Sequence, residues 1–337
     1  MKRFRIAALL LVAPFLIGSA SAQVVSLITT PAGSFSNSAG SAIAKVVSEK
    51  TKVRMTIQAQ ASSGYEELEA GNVEFNVSNS FDSTFFAQGR EEYKARGPAK
   101  AIRHVAALIP YRVAMHVRAD SGIKSIADLK GKRVASDFNA QKTIARIIEA
   151  HLANTGLSYK DVVGVPAPNV VRQAEDFKAG RIDVMFFALG SGAIKEAAAA
   201  VGGVRVLEVD ASPAAVKRLN AVLPGAYIME IKPSPAIEGL SKPTKLVAFD
   251  MDLNSSTKVS DNVVYQVVKA IYENKKDLVA SFRPFAILEP RNMAKPAEGI
   301  QFHSGAVRFY KEVGLWPPKE AAAASAPAKK GEAAKKK

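Results

Sequence analysis

Gly122 to Gln141 reads GIKSIADLKGKRVASDFNAQ, and this stretch decides how the chain folds. It begins as a turn, followed by a short helical segment at Ile126-Ala127-Asp128-Leu129. A basic turn, Lys130-Gly131-Lys132, then leads into a strand at Arg133-Val134-Ala135. The polar loop Ser136-Asp137-Phe138-Asn139 comes next, and a helix begins near Ala140. Gly131 tolerates a positive φ, which a tight entry into a buried strand often needs. In an open α/β sheet, ligands sit beyond the carboxyl ends of strands, where loops meet helix N-termini. The loop after Val134 is therefore the first place to look for a binding site.

Upstream, the same unit repeats. Val24 to Thr29 reads as a strand and Thr30 to Asn37 as a small polar loop. Ala39 to Val47 has helical spacing, with Ile43, Val46 and Val47 on one face. Met55 to Ala59 alternates as a second strand, Ser62-Ser63-Gly64-Tyr65 follows, and Glu66 to Ala70 is helical. Gly71-Asn72 stops that helix, Val73 to Val77 is a buried strand, and Ser78-Asn79-Ser80 opens a third polar loop before Asp82 to Gln88. Loops of this kind can aim hydroxyls and N–H groups at an anion. Three in series point to one shared pocket. Downstream, strands at Val105–Ile109 and Val113–Val117, broken at Pro110-Tyr111, are followed by helices alternating with short strands. That alternation predicts an α/β chain with mainly parallel sheets.

The 337 residues suffice for one or two domains, and 48% hydrophobic with 23% charged residues is a globular composition. The absence of cysteine excludes disulfides, thiolate metal sites, Cys nucleophiles and N-terminal lipidation through Cys. Lys2, Arg3 and Arg5, the apolar run Ile6 to Ile17 and Ala20-Ser21-Ala22 have the form of a signal peptide cleaved near Ala22, which predicts a periplasmic product. The net charge of +15 falls to +12 without the three signal-peptide cations. It falls to +8 without the six lysines and two glutamates of the Ala/Lys-rich tail at 318–337, which is expected to be disordered. A basic body suits an anionic ligand or surface. No basic stripe with interleaved aromatics suggests nucleic acid.

Three further motifs carry a resemblance. Gly122 to Val134 has the form GI-K-S-x-x-DLKGKRV, Gly180 to Phe187 the form G-x-I-D-x-x-FF, and Phe302 to Gly314 the form F-H-S-G-A-x-R-F-Y-K-E-x-G. With the strand-loop-helix start, the chain resembles the TAXI group of TRAP-transporter solute receptors over nearly all of Val24 to Trp316. The terminal signature is similar to that group's H-P-G-A-x-x-Y-x-E-x-G. The resemblance implies a type II periplasmic-binding-protein fold, with two α/β lobes, a hinge and a cleft. Residues 23–111 with 229–317 would form lobe I and residues 112–228 lobe II, crossing at Pro110–Val117 and Ala226–Ile231. It also implies a glutamate-like amino acid or small dicarboxylate as ligand, and TRAP membrane subunits as partners of a monomer. Two loops depart from the family pattern. Ala32-Gly33-Ser34-Phe35-Ser36 stands where the family has a Gly-Gly-Thr-Tyr-Tyr core, and Asp137-Phe138-Asn139-Ala140-Gln141 where it has small residues.

The expected ligand is a small organic anion. Ser34 and Ser36 would meet it from the first loop, Ser62 and Ser63 from the second, and Asn79 and Asp82 from the third. Asn139, Gln141 and Thr143 would follow from the loop after Val134, with Phe187 and Tyr227 as apolar walls and Lys142 as a possible charge. If Asp137 and Phe138 face the cleft, the ligand should be smaller or carry an ammonium group. An enzyme would need other residues. His104, His116, His151 and His303 form no metal pair, and no G-x-S-x-G elbow, G-x-G-x-x-G or GKS/GKT loop is present, so neither metal nor cofactor is expected. A sensor that signals to a partner protein is the second reading, and a periplasmic enzyme the third.

Overall fold

IRHVAALIPYRVAMHVR, Ile102 to Arg118, forms a single strand of 17 residues in the computed structural model, which describes residues 23–318 with residue 236 excepted. The signal-peptide and tail readings fall outside the described residues. The break read at Pro110-Tyr111 is absent. Pro110 has no N–H to give, but it lies opposite Asp250 at a shift in register, where a missing ladder bond is tolerated.

Before this strand come β1 (Gln23–Thr29), α1 (Phe35–Lys50), β2 (Val53–Ala59), α2 (Tyr65–Ala70), β3 (Phe75–Asn79) and α3 (Ser80–Gln88). The long strand is β4. After it come β5 (Arg133–Ser136), α4 (Thr143–Asn154), β6 (Val163–Pro166), α5 (Val170–Lys178), β7 (Val184–Ala188), α6 (Gly192–Ala200), β8 (Val204–Val206) and α7 (Pro213–Val222). The chain returns through β9 (Tyr227–Ile231) and β10 (Thr244–Ser256), and ends in α8 (Asp261–Glu273), α9 (Lys275–Ser281) and α10 (Ser304–Glu312).

The strands lie in the order β2-β1-β3-β10-β4-β7-β5-β6, with β8 against β4 and β9 against β10. β1 pairs in parallel with β2 and β3, and β5 with β6 and β7. These are two parallel sheets, and the antiparallel strands β4 and β10 join them. One lobe is built on β2-β1-β3, the other on β7-β5-β6. β9 pairs only with the first part of β10, whereas β10 itself continues from β9 to β3. Both joining strands are long because each belongs to both sheets.

Helices cover each sheet because their apolar faces must be buried. In α1, Ala39, Ile43, Val46 and Val47 are buried. In α8, Val263, Val264, Val267 and Ile271 are buried against the same lobe. Gly64 has a φ of 69°, and a Cβ there would lie 2.3 Å from Ile28 Cγ2, so only glycine fits that turn.

Within Gly122–Gln141, Ile126–Leu129 is a single helical turn, and Gly131 adopts a φ of 71°. Asp128 accepts from the Lys124 and Ser125 N–H groups at 2.9 Å and from the Ser125 hydroxyl at 3.0 Å, which holds its carboxyl below the usual range. The following helix begins at Thr143 rather than at Ala140. The four histidines are buried and separate. His303 caps α10 by accepting from the Gly305 N–H at 3.1 Å. Burial lowers His116 and His151 to about 4, so both are neutral core groups at physiological pH.

Candidate functional site

Three hydroxyls meet at the start of α1. Ser34 is its N-cap, and its Oγ accepts from the Asn37 N–H at 3.2 Å. Thr30 Oγ1 donates to Ser34 Oγ at 2.8 Å and contacts Ser36 Oγ, while the Thr30 N–H donates to Ser36 Oγ at 3.3 Å. Ser34 and Ser36 are both buried. The positive end of the α1 dipole and three rotatable O–H groups thus face one point.

Asp82 lies opposite, in the first turn of α3, where its N–H is capped by Asn79 Oδ1 at 2.8 Å. The carboxylate is buried and accepts from three hydroxyls. Ser63 donates to Oδ2, while Tyr93 and Thr143 donate to Oδ1 at 2.6 Å each. Burial pushes the acid above its ordinary value, and the bonds from Ser63, Thr143 and Tyr93 oppose that shift. Burial and the adjacent Asp82 also hold the Tyr93 phenol far up, so it remains a donor.

Thr143 belongs to the other lobe, so its bond to Asp82 crosses the cleft. A second tie runs beside it. Arg146, one turn further along α4, lies 2.6 Å from Glu91 Oε2 and 2.8 Å from Glu92 Oε1. Lys142 Nζ lies 5.2 Å from the centre of the Tyr93 ring. The N-terminus of α4 therefore fastens one lobe to the other.

Between these groups lies a cavity of about 60 Å³ measured at water centres, space for roughly four to six waters. Its polar lining is Thr30, Ser34, Ser36, Ser63, Ser78, Asn79, Asp82, Gln141, Thr143 and Ser191, and its apolar lining is Phe35, Tyr111, Val113, Ile144, Ile147, Val170, Phe186, Phe187, Ala188 and Phe249. Gln141 Oε1 accepts from the Val170 N–H at 2.9 Å and so caps α5 at the rim. No lysine or arginine lines the cavity among the described residues.

Of the residues singled out from sequence, Ser34, Ser36, Ser63, Asn79, Asp82, Gln141, Thr143 and Phe187 line this cavity. Ser62, Asn139 and Tyr227 do not. Ser62 is half-buried at the bend beside Ser63. Asn139 is exposed, in a surface recess with Asp137 and Lys142. Tyr227 lies behind the joining strands and donates to Asp250 Oδ1 at 3.2 Å. Phe138 is fully buried in its own lobe, so neither it nor exposed Asp137 shapes the cavity. Sequence reasoning missed Thr30, Tyr111, Ser191 and Phe249. Thr30 directly follows the first strand and was within reach of the strand-end rule. Phe249 needed the course of β10, which periodicity does not give.

Solved structures share this arrangement at low identity. A periplasmic binding protein, BugD, superposes with a TM-score of 0.56 at 9% identity, covering 87% of this chain and 95% of that one. A structure described as a periplasmic transporter gives 0.55 at 15% identity, covering 88% and 94%. The R. palustris protein Rpa4515, solved with adipate, gives 0.50 at 14% identity, covering 78% and 87%. At these identities the likeness is one of fold: two α/β lobes, joined by strands, around a cleft. The family is shown separately: the NMT1-like family model matches residues 27–314, from within β1 to just beyond α10, and the chain belongs to the NMT1-like family.

Proposed function

We propose that the chain is an extracytoplasmic solute-binding receptor of the TAXI type, which captures a small organic anion between its lobes and delivers it to a TRAP-type membrane transporter. The observation that carries this reading is the cavity between the lobes, lined both by the hydroxyls at the N-terminus of α1 and by apolar side chains. Such hydroxyls suit a carboxylate that must be released again, since neutral donors hold it without a buried cation. The apolar lining suits a short hydrocarbon body. A second carboxylate would find no cation there, and an ammonium would find Asp82 already engaged by three hydroxyls. The ligand class is therefore a short aliphatic monocarboxylate or keto acid. This narrows the glutamate-like or dicarboxylate preference that the TAXI resemblance implies. The TAXI assignment and the TRAP partner rest on the sequence motifs. One structural neighbour was solved with adipate, itself a carboxylate.

We place the hinge at β4 and β10, which assigns residues 112–248 to the second lobe and extends it beyond the boundary expected at 228. Closure about two strands is a common receptor motion. A thermal-shift panel of amino acids, keto acids, monocarboxylates, dicarboxylates and aromatic acids tests the reading. A ligand at a hundredfold excess over Kd adds about 2.7 kcal/mol. Stabilisation is expected with short monocarboxylates or keto acids and is expected to disappear in Ser36→Ala. Stabilisation by dicarboxylates alone would overturn it. Uptake into proteoliposomes holding a TRAP transporter, with and without the receptor, tests the partner.

Arg146→Ala removes two part-exposed ion pairs across the cleft. The expected loss is about 0.5–1.5 kcal/mol of closure, read as a Kd raised roughly two- to tenfold through faster dissociation, with the melting temperature of the unliganded chain little changed. An unaltered dissociation rate in stopped-flow would show that these pairs do not hold the lobes together.

A further inference from the structure

A second recess lies behind the joining strands, on the side away from the cavity. Strand alternation decides what reaches it: Tyr111 and Val113 of β4 face the cavity, so Leu108, Pro110 and Arg112 face the back. The recess is about 1110 Å³ in the same measure as the cavity, and both lobes wall it. Its charge pattern is uneven. The acid Asp250 is already engaged, by Lys295 Nζ at 2.6 Å and by the Tyr227 hydroxyl at 3.2 Å. The Arg112 guanidinium makes no hydrogen bond or ion pair among the described residues, and its Nε is buried without a partner. Burial lowers its pKa, and the same recess also holds Glu230 and Glu289.

A half-buried guanidinium with no ion pair gains from pairing with an anion. Its fork matches carboxylate and sulfonate oxygens in bidentate fashion. The apolar side chains of Leu108, Ile231, Ile237 and Leu315 also line the recess. We propose that this recess is a second binding site, for an amphiphilic organic anion whose charged oxygens sit on Arg112 and whose hydrocarbon chain lies toward Ile231 and Ile237. The site is separate from the cavity, because β4 and β10 stand between them. It does not depend on the ligand assigned to the cavity.

The test is calorimetric titration of the full chain with octanoate, octanesulfonate and octanol, on wild type, Arg112→Met, Ile237→Glu and Ser36→Ala. Wild type and Ser36→Ala are expected to bind both anions one-to-one with equal affinity. Arg112→Met is expected to bind them at least tenfold more weakly, and octanol is expected to bind poorly throughout. Methionine fills the space without a buried charge, so the urea midpoint of Arg112→Met should equal or exceed that of wild type. Should that variant not fold, Ile237→Glu, which places a like charge on the wall, is expected to give the same loss. Unchanged octanoate binding in the Arg112 or Ile237 variant would overturn the proposal. So would its loss in Ser36→Ala, or the absence of anion binding by wild type at millimolar concentration.

Discussion

Asp82→Ala is expected to destabilise the chain by about 3 kcal/mol and to abolish ligand binding. The carboxylate is the common acceptor for Ser63, Tyr93 and Thr143. Hydrogen bonds to a charged group contribute about 1.5–3 kcal/mol each, and a buried donor left without an acceptor costs about 1–3 kcal/mol. Relief of the buried charge offsets part of that sum, which sets the net near 3. Binding is lost because the Asp82–Thr143 bond is a buried side-chain tie between the lobes, and because Tyr93 loses the partner that orients it. The pH dependence has a definite sign. Asp82 has its pKa raised in the folded state, so its contribution to stability is full below the unfolded carboxyl pKa and is lost as pH rises through the folded value. The gap between wild type and Asp82→Ala should therefore widen as the solution is acidified from neutrality. Urea melts at several pH values measure it, and a gap that narrows on acidification would contradict this account. Thr143→Val separates the two roles. It removes only the cross-lobe bond, so it should weaken binding strongly while costing less stability than Asp82→Ala.

Much of this was legible in the sequence, for local reasons. Ser34 and Asn79 were readable because an N-cap residue following a strand end must sit where parallel strands deliver their ligand loops, and both residues cap a helix and line the cavity. The short turn before β5 was readable from Ser125, Asp128 and Gly131, whose capping and backbone preferences act over a few residues. What sequence did not reveal depends on distant pairing. Tyr227 was read as a pocket wall on a crossing strand. Yet β9 pairs only with the first part of β10, and its ring lies behind the sheet. The second joining strand is β10, and nothing in its periodicity tells a strand shared by two lobes from one that ends in a single lobe. Lys142, offered as a possible charge, does not line the cavity, whose charged residue among the described ones is Asp82.

The departure at Asp137-Phe138 from the pattern of the TAXI group, which the chain resembles, yields the other large effect, in stability rather than selectivity. Asp137 adopts a φ of 62° and is exposed. That left-handed residue turns the backbone so that Phe138 points into its own lobe, where it is fully buried. The turn is pinned on both sides. The Phe138 N–H donates to Ser136 O at 2.9 Å, the Ala167 N–H to the same oxygen at 3.0 Å, and the Ala140 N–H to Pro168 O at 3.1 Å. The loop is thus tied to the segment linking β6 and α5, with the ring as its anchor in the core. Phe138→Ala removes a fully buried aromatic side chain and is expected to cost about 3–5 kcal/mol. Asp137→Gly relieves the positive φ and should be neutral or stabilising by up to about 1 kcal/mol. Neither change touches the cavity lining. The ratio of affinities for a monocarboxylate and an amino acid, measured by calorimetry under conditions where each variant is folded, should therefore match wild type. A ratio shifted more than about threefold in Phe138→Ala, with stability hardly altered, would return this loop to the cleft and the acid and ring to ligand selection.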